Sequence, residues 1–253
     1  MADLSTPPLV FDVLSAPITV LVGHFGAGKT EIAVNLALGW RERGEAVSIV
    51  DLDLVKPYFR TRLLREEFAA RGIDLVVPPD DRLYADLPIL VPEVRGAVGR
   101  AAAGGRRVIM DVGGADVGAR VLGAVGGLTD SRLADVLFIV NGNRPFAETA
   151  ADVIRVVREV EAASRLSVTG LVANTHLMDE TTPAVVEAGL ALAEEVGAEL
   201  GVPVRFWVAL DRLVGDADAS PDGRGLPVLA VKRRITPPLE WRARGAHRRT
   251  AVV

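Results

Sequence analysis

Cysteine is absent from the 253-residue chain. That excludes disulfides, thiolate metal sites and self-supplied ligands for an iron–sulfur cluster. Lysine is nearly absent too: of the 29 Lys and Arg residues, only Lys29, Lys56 and Lys232 are lysine, so each lysine position is informative. No apolar run approaches the ~20 residues of a membrane-spanning helix. Residues 1–17 lack the basic-then-apolar pattern of a secretory signal, and a cytoplasmic protein is the expectation. The net charge of −4 makes no case for nucleic acid or a membrane surface as partner. The three histidines, His24, His176 and His247, show no metal-ligand spacing.

What is present is enough apolar sequence, 49%, to bury a full core. Short β-branched runs bounded by polar or turn residues read as strands buried on both faces: Ile18–Val22, Val47–Val50, Leu75–Val77, Val108–Met110, Val136–Val140, Leu171–Ala173, Phe206–Ala209 and Val228–Val231. Helical segments fall between them: Thr30–Arg43, Thr61–Arg71, Pro92–Ala103, Ala147–Ser164 and Pro183–Leu200. In the fourth, Val153, Val156, Val157 and Val160 share one face. This alternation predicts a doubly wound α/β fold, a mostly parallel sheet with helices on both sides. The division is an N-terminal extension over 1–17, one nucleotide-binding domain over 18–231, and a basic tail over 232–253.

Gly23-His24-Phe25-Gly26-Ala27-Gly28-Lys29-Thr30 follows the first strand and opens a helix, the context that a phosphate-binding loop requires. Its glycines let successive backbone N–H groups converge on phosphate oxygens, and the helix adds the positive end of its dipole. Lys29 is expected to bridge the β- and γ-phosphates, and the Thr30 hydroxyl to ligate Mg²⁺. Glu31, in the first helical turn, is counted with the loop. A dinucleotide-binding turn is the competing reading, but the glycines run G-x-x-G-x-G rather than G-x-G-x-x-G.

In a doubly wound sheet the ligand sits beyond the C-terminal ends of the strands. The second strand ends in Asp51-Leu52-Asp53 and the fourth in Asp111-Val112-Gly113-Gly114. An apolar run into one Asp is the pattern that sets a carboxylate near Mg²⁺. Gly114 is placed to present its N–H to a γ-phosphate. Asp51 and Asp53 alternate, so on an extended chain they face opposite sides.

On the phosphate loop, the Asp-x-Asp pair, the D-x-G-G turn and Asn174 at the end of Gly170–Asn174, the chain resembles the MinD/ParA/CobQ-type nucleotide-binding proteins. These fall within the class that includes the signal-recognition GTPases. The resemblance spans about Ile18 to Val231. It implies that Asp53 orients the attacking water with Lys29 as its catalytic companion, that Thr30, Asp51 and Asp111 serve Mg²⁺, and that Asn174 contacts the base. Many members carry a second lysine after the first loop glycine, reaching across a nucleotide-sandwich dimer. Here that residue is His24, with Lys56 or Arg120 as possible substitutes. Guanine recognition normally uses Asn-Lys-x-Asp. Asn174-Thr175-His176-Leu177 lacks the Lys and the Asp, which favours adenine and hence ATP.

The function expected on these grounds is a Mg²⁺-dependent ATPase switch acting on a protein partner or on its own homodimer. The alternatives are a GTPase and an ATP-dependent biosynthetic ligase or kinase of the dethiobiotin-synthetase or cobyrinate-amidase kind. The run Lys56–Arg60 reads either as a switch loop or as core packing.

Overall fold

The computed structural model describes residues 10–52, 61–77, 91–113, 118–125, 128–130, 132–214 and 225–234. The strands are β1 (Ile18–Gly23), β2 (Val47–Asp51), β3 (Ile73–Val76), β4 (Arg107–Asp111), β5 (Ala134–Val140), β6 (Gly170–Ala173), β7 (Val204–Leu210) and β8 (Val228–Val231). They form one 8-stranded sheet in the order β3-β2-β4-β1-β5-β6-β7-β8, and every pairing is parallel. The helices are α1 (Val10–Val13), α2 (Lys29–Glu42), α3 (Thr61–Ala70), α4 (Val91–Ala102), α5 (Ala119–Ala124), α6 (Ala150–Ser164) and α7 (Pro183–Leu200).

The sheet splits the core in two. Ile18, Val20 and Val22 of β1 face a cluster filled by α4, α5, α6 and α7, through residues such as Val94, Leu122, Val157 and Leu190. Leu21 faces the other side, where α2 packs with Val10 of α1 and Phe68 of α3. Both faces are covered, so β1, β2 and β5 are buried along their whole length. This is the three-layer α/β/α arrangement expected of the alternating pattern.

The sheet extends from β1 in both directions, with β2, β3 and β4 on one side and β5 to β8 on the other. β4 lies on one side of β1 and β5 on the other. The crevice of an open α/β sheet forms at such a switch point, beyond the carboxyl ends of the strands. The phosphate loop is therefore delivered to that crevice by topology alone.

Helix boundaries follow local chemistry. α6 begins at Ala150 rather than Ala147 because the Thr149 hydroxyl accepts from the Asp152 N–H at 3.3 Å and donates to its carboxylate at 2.7 Å, a cap worth about 1 kcal/mol. α7 begins at Pro183 behind the Thr182 cap and ends at Gly201 with φ 68°, as a helix with an early Pro and a terminal Gly should. α1 and α5, of 4 and 6 residues, are too short to show a period and lie outside the helical segments read from sequence.

Residues 10–16, assigned by sequence to an extension, pack on the core. Leu14 is 0% exposed. Arg107 Nη1 donates to the carbonyls of Leu14 and Ala16 at 3.1 and 3.0 Å. Phe11 sits edge-on to Trp40 of α2, centroids 5.7 Å apart, and presses on Gly39 so closely that a Cβ there would lie 2.2 Å from the ring. At the other end, Lys232 exchanges backbone bonds with the Asn35 side chain at 3.1 and 3.2 Å. Among the described residues, no helix is long and apolar enough to cross a membrane.

Candidate functional site

β1 runs straight into the phosphate loop, and two of its glycines are required by geometry. Gly23 has φ 147°, and a Cβ there would stand 2.8 Å from the Ile139 carbonyl of β5. Gly28, at φ 95°, is the residue that precedes α2, and its Cα abuts the Asn174 side chain. These positive φ values are strained for any side chain-bearing residue. Ala27 N–H donates to the His24 carbonyl at 3.1 Å, closing the loop on itself.

Lys29 is 7% exposed. Its Nζ donates to the carbonyls of Gly23 and His24, each at 2.9 Å, so the ammonium is held beneath the curve of the loop. Thr30 follows, also buried. A buried ammonium set against backbone carbonyls at a helix start forms a cationic seat whose charge and place suit an anion.

Asp51 and Asp111 stand side by side. They are register partners at the ends of β2 and β4, and both are buried. Leu52 N–H donates to the Asp111 carbonyl at 2.8 Å, and Val112 N–H to the Leu21 carbonyl at 3.2 Å. The two carboxylates thereby lie at the edge of the strands that flank β1 on one side. Asp53, Gly114 and the Lys56–Arg60 run lie outside the described residues.

Asn174 is tied to the loop: its Nδ2 donates to the Ala27 carbonyl at 2.7 Å. Beyond it, His176 Nε2 would meet a Gly28 Cβ at 3.5 Å. Burial, then the positive charges of Arg144 and Arg233, push the His176 imidazolium down to about 4, so the ring is neutral near neutrality. His24 is half-buried, with Nδ1 at 3.1 Å from the Phe25 carbonyl. Glu31 turns away from the loop: its Oε1 accepts from the Arg234 backbone at 2.8 Å and from Asn35 Nδ2 at 3.2 Å. Arg120 is exposed on α5.

The resident metal implied by the loop is Mg²⁺. The described residues hold no cluster of three or more His, Cys, Asp or Glu. Mg²⁺ needs none, since it takes one or two carboxylates and completes its shell with phosphate oxygens and water. Two buried carboxylates in register, with the Thr30 hydroxyl, fit that demand.

Sequence reasoning missed Arg144. It sits in the loop after β5, where no motif marks it, yet its side chain lies against Gly26, with Nε 3.4 Å from a built Cβ. Only the run Asn141-Gly142-Asn143-Arg144, polar residues directly after an apolar strand, could have drawn attention to it.

No family model matches the chain, and no curated protein matches it. Solved structures do. The cell division protein FtsY of Thermotoga maritima is matched at a TM-score of 0.52 and 20% identity, over 82% of this chain and 64% of that one. Chloroplast FtsY of Physcomitrella patens is matched at 0.51 and 19%, over 78% and 64%. The signal recognition particle 54 kDa protein of Aeropyrum pernix, solved in complex with GDP, is matched at 0.48 and 17%, over 81% and 43%. The chain thus spans less than two thirds of the solved structures it matches. At these identities the likeness concerns the backbone, and it establishes the P-loop nucleoside-triphosphatase fold for this chain.

Proposed function

We propose that the chain is a Mg²⁺-dependent P-loop nucleoside triphosphatase that works as a nucleotide switch. The observation that supports this best is the seat of Lys29, buried and held by two loop carbonyls, together with Asp51 and Asp111 paired in register at the strand ends. Bound Mg²⁺ would neutralise charge on the phosphates, held by Thr30, Asp51 and Asp111. The protein's part is positioning and electrostatics, with no covalent intermediate. Asp53 is the residue proposed to orient the attacking water, and Gly114 to meet the γ-phosphate. The MinD/ParA/CobQ branch rests on the motifs alone.

On the base, the alternative gains ground. Two likenesses, at TM-scores of 0.52 and 0.51, run to FtsY proteins, FtsY being the signal recognition particle receptor. This favours GTP over the ATP suggested by Asn174-Thr175-His176-Leu177. The described exposed large hydrophobics, Phe25, Phe146, Leu177 and Met178, all lie on loops leaving the carboxyl ends of β1, β5 and β6. Apolar side chains gathered around a nucleotide mouth suit a switch whose docking face, for a protein partner or a second copy, senses the ligand.

The test is a panel of ATP, GTP and slowly hydrolysed analogues, read by phosphate release and by sedimentation. GTP turnover above ATP turnover, lost in Lys29→Ala, is the expected result. Absence of binding to either triphosphate would overturn the proposal.

A further inference from the structure

Arg144 has a place in the site that the known motifs leave unexplained. The loop that holds it, between β5 and α6, leaves the strand adjacent to β1 and rises beside the phosphate loop. The guanidinium covers Gly26: a Cβ built there would lie 3.4 Å from Nε and 3.5 Å from Cζ. Nε is buried, and no acceptor among the described residues pairs with it. The same loop has a second buried donor in this condition, Asn141 Nδ2, on a residue 2% exposed. Buried donors are rarely left without acceptors, and each such case calls for an explanation. Two on one loop, alongside an anion-binding turn, are explained by a ligand rich in oxygen acceptors.

We propose that Arg144 is a phosphate-binding residue, its guanidinium donating to oxygens of the phosphate chain seated on Gly23–Thr30. This rests on the nucleotide-binding reading above. The planar fork of arginine matches phosphate geometry and keeps its charge at any working pH. Together with Lys29 it sets two cations on the loop from within one chain, so this part of the anion site needs no residue from a second copy. Gly26 itself is fixed by its turn, with φ 75°, and a Cβ there would meet Arg144 only at ordinary contact distance.

The experiment measures the affinity of the full chain for tripolyphosphate and for GTP and ATP with Mg²⁺, in wild type, Arg144→Ala and Arg144→Lys. Tripolyphosphate has no base or ribose, so it isolates the phosphate contact. The expected result is a loss of tenfold or more in Arg144→Ala, equal for tripolyphosphate and the preferred triphosphate, with Arg144→Lys between it and wild type. Tripolyphosphate affinity within twofold of wild type in Arg144→Ala overturns the proposal, as does a loss confined to the nucleotides, which would assign Arg144 to the base or ribose. Should Arg144→Ala fail to fold, Arg144→Lys decides, because wild-type affinity in that variant also overturns a role for the planar fork. A wild type that binds none of the three ligands would sink the nucleotide reading itself, an outcome distinct from a wild type that binds and an Arg144 variant that is unchanged.

Discussion

The Asn174 side chain donates to the Ala27 carbonyl across 2.7 Å and joins the end of β6 to the phosphate loop. The bond is buried, so removing its donor leaves a buried carbonyl without a partner. Asn174→Ala should cost about 1–3 kcal/mol, seen as a lower midpoint in chemical denaturation. Asn174→Asp should cost more, because it sets a carboxylate oxygen against a carbonyl oxygen. An Asp variant as stable as wild type would refute the geometry.

Lys29 is held by loop carbonyls before any ligand arrives. Lys29→Ala should reduce turnover by about 10²–10³-fold, the scale for removing one preorganised electrostatic contact in a site of this kind. Steady-state phosphate release checks it. Lys29→Arg should not rescue the loss, since the buried seat is shaped for an ammonium between two carbonyls.

Two glycines should respond in opposite ways to alanine. Gly23→Ala places a methyl 2.8 Å from the Ile139 carbonyl at φ 147° and should lose both stability and nucleotide binding. Gly99→Ala, exposed in α4 with open space around its Cα, should gain about 0.5–1 kcal/mol. Thermal melts of the pair separate steric demand from helix propensity.

His176 gives the site a pH dependence. Its folded value of about 4 lies below the unfolded 6.5, so the unfolded chain binds more protons between those limits. Its contribution to stability is full above pH 6.5 and is lost as pH falls towards 4, by at most about 1.4 kcal/mol per pH unit. His176→Asn should flatten the acid limb of a stability profile over that window. Burial is the larger cause of the low value, and the positive charge of Arg144 adds to it; phosphate bound at Arg144 would offset that second part. Nucleotide binding near pH 5 should therefore take up protons, measurable by calorimetry in buffers of different ionisation enthalpy.

The inner strands were legible in the sequence, because a parallel strand buried on both faces, such as β1 or β5, writes itself as a continuous apolar run. β3, at the sheet edge with Asp74 inside it and only Ile73 buried, spans Ile73–Val76 rather than the expected Leu75–Val77. The phosphate loop was legible as well, since its glycines are required by φ values that other residues avoid. Asp51 and Asp111 were readable as strand-end carboxylates, but their alignment as register partners depends on β4 lying between β1 and β2, which no local pattern states. Arg144 was invisible for the same reason. Its meaning comes from β5 lying next to β1, a long-range pairing. Glu31 illustrates the converse: its place beside the loop is local, but the direction of its carboxylate is set by Arg234, 203 positions away.

Helix α2, which starts in the phosphate loop, is gripped near Gly39 by Phe11 and along Glu31 and Asn35 by Arg234 and Lys232. The loop and both described ends of the chain are thereby in mechanical series through one rigid rod. A displacement of Phe11 or of Arg234 would therefore be felt by the same rod that positions Lys29. Trp40, lying against Phe11 on that rod, is a built-in fluorescent gauge of the strain.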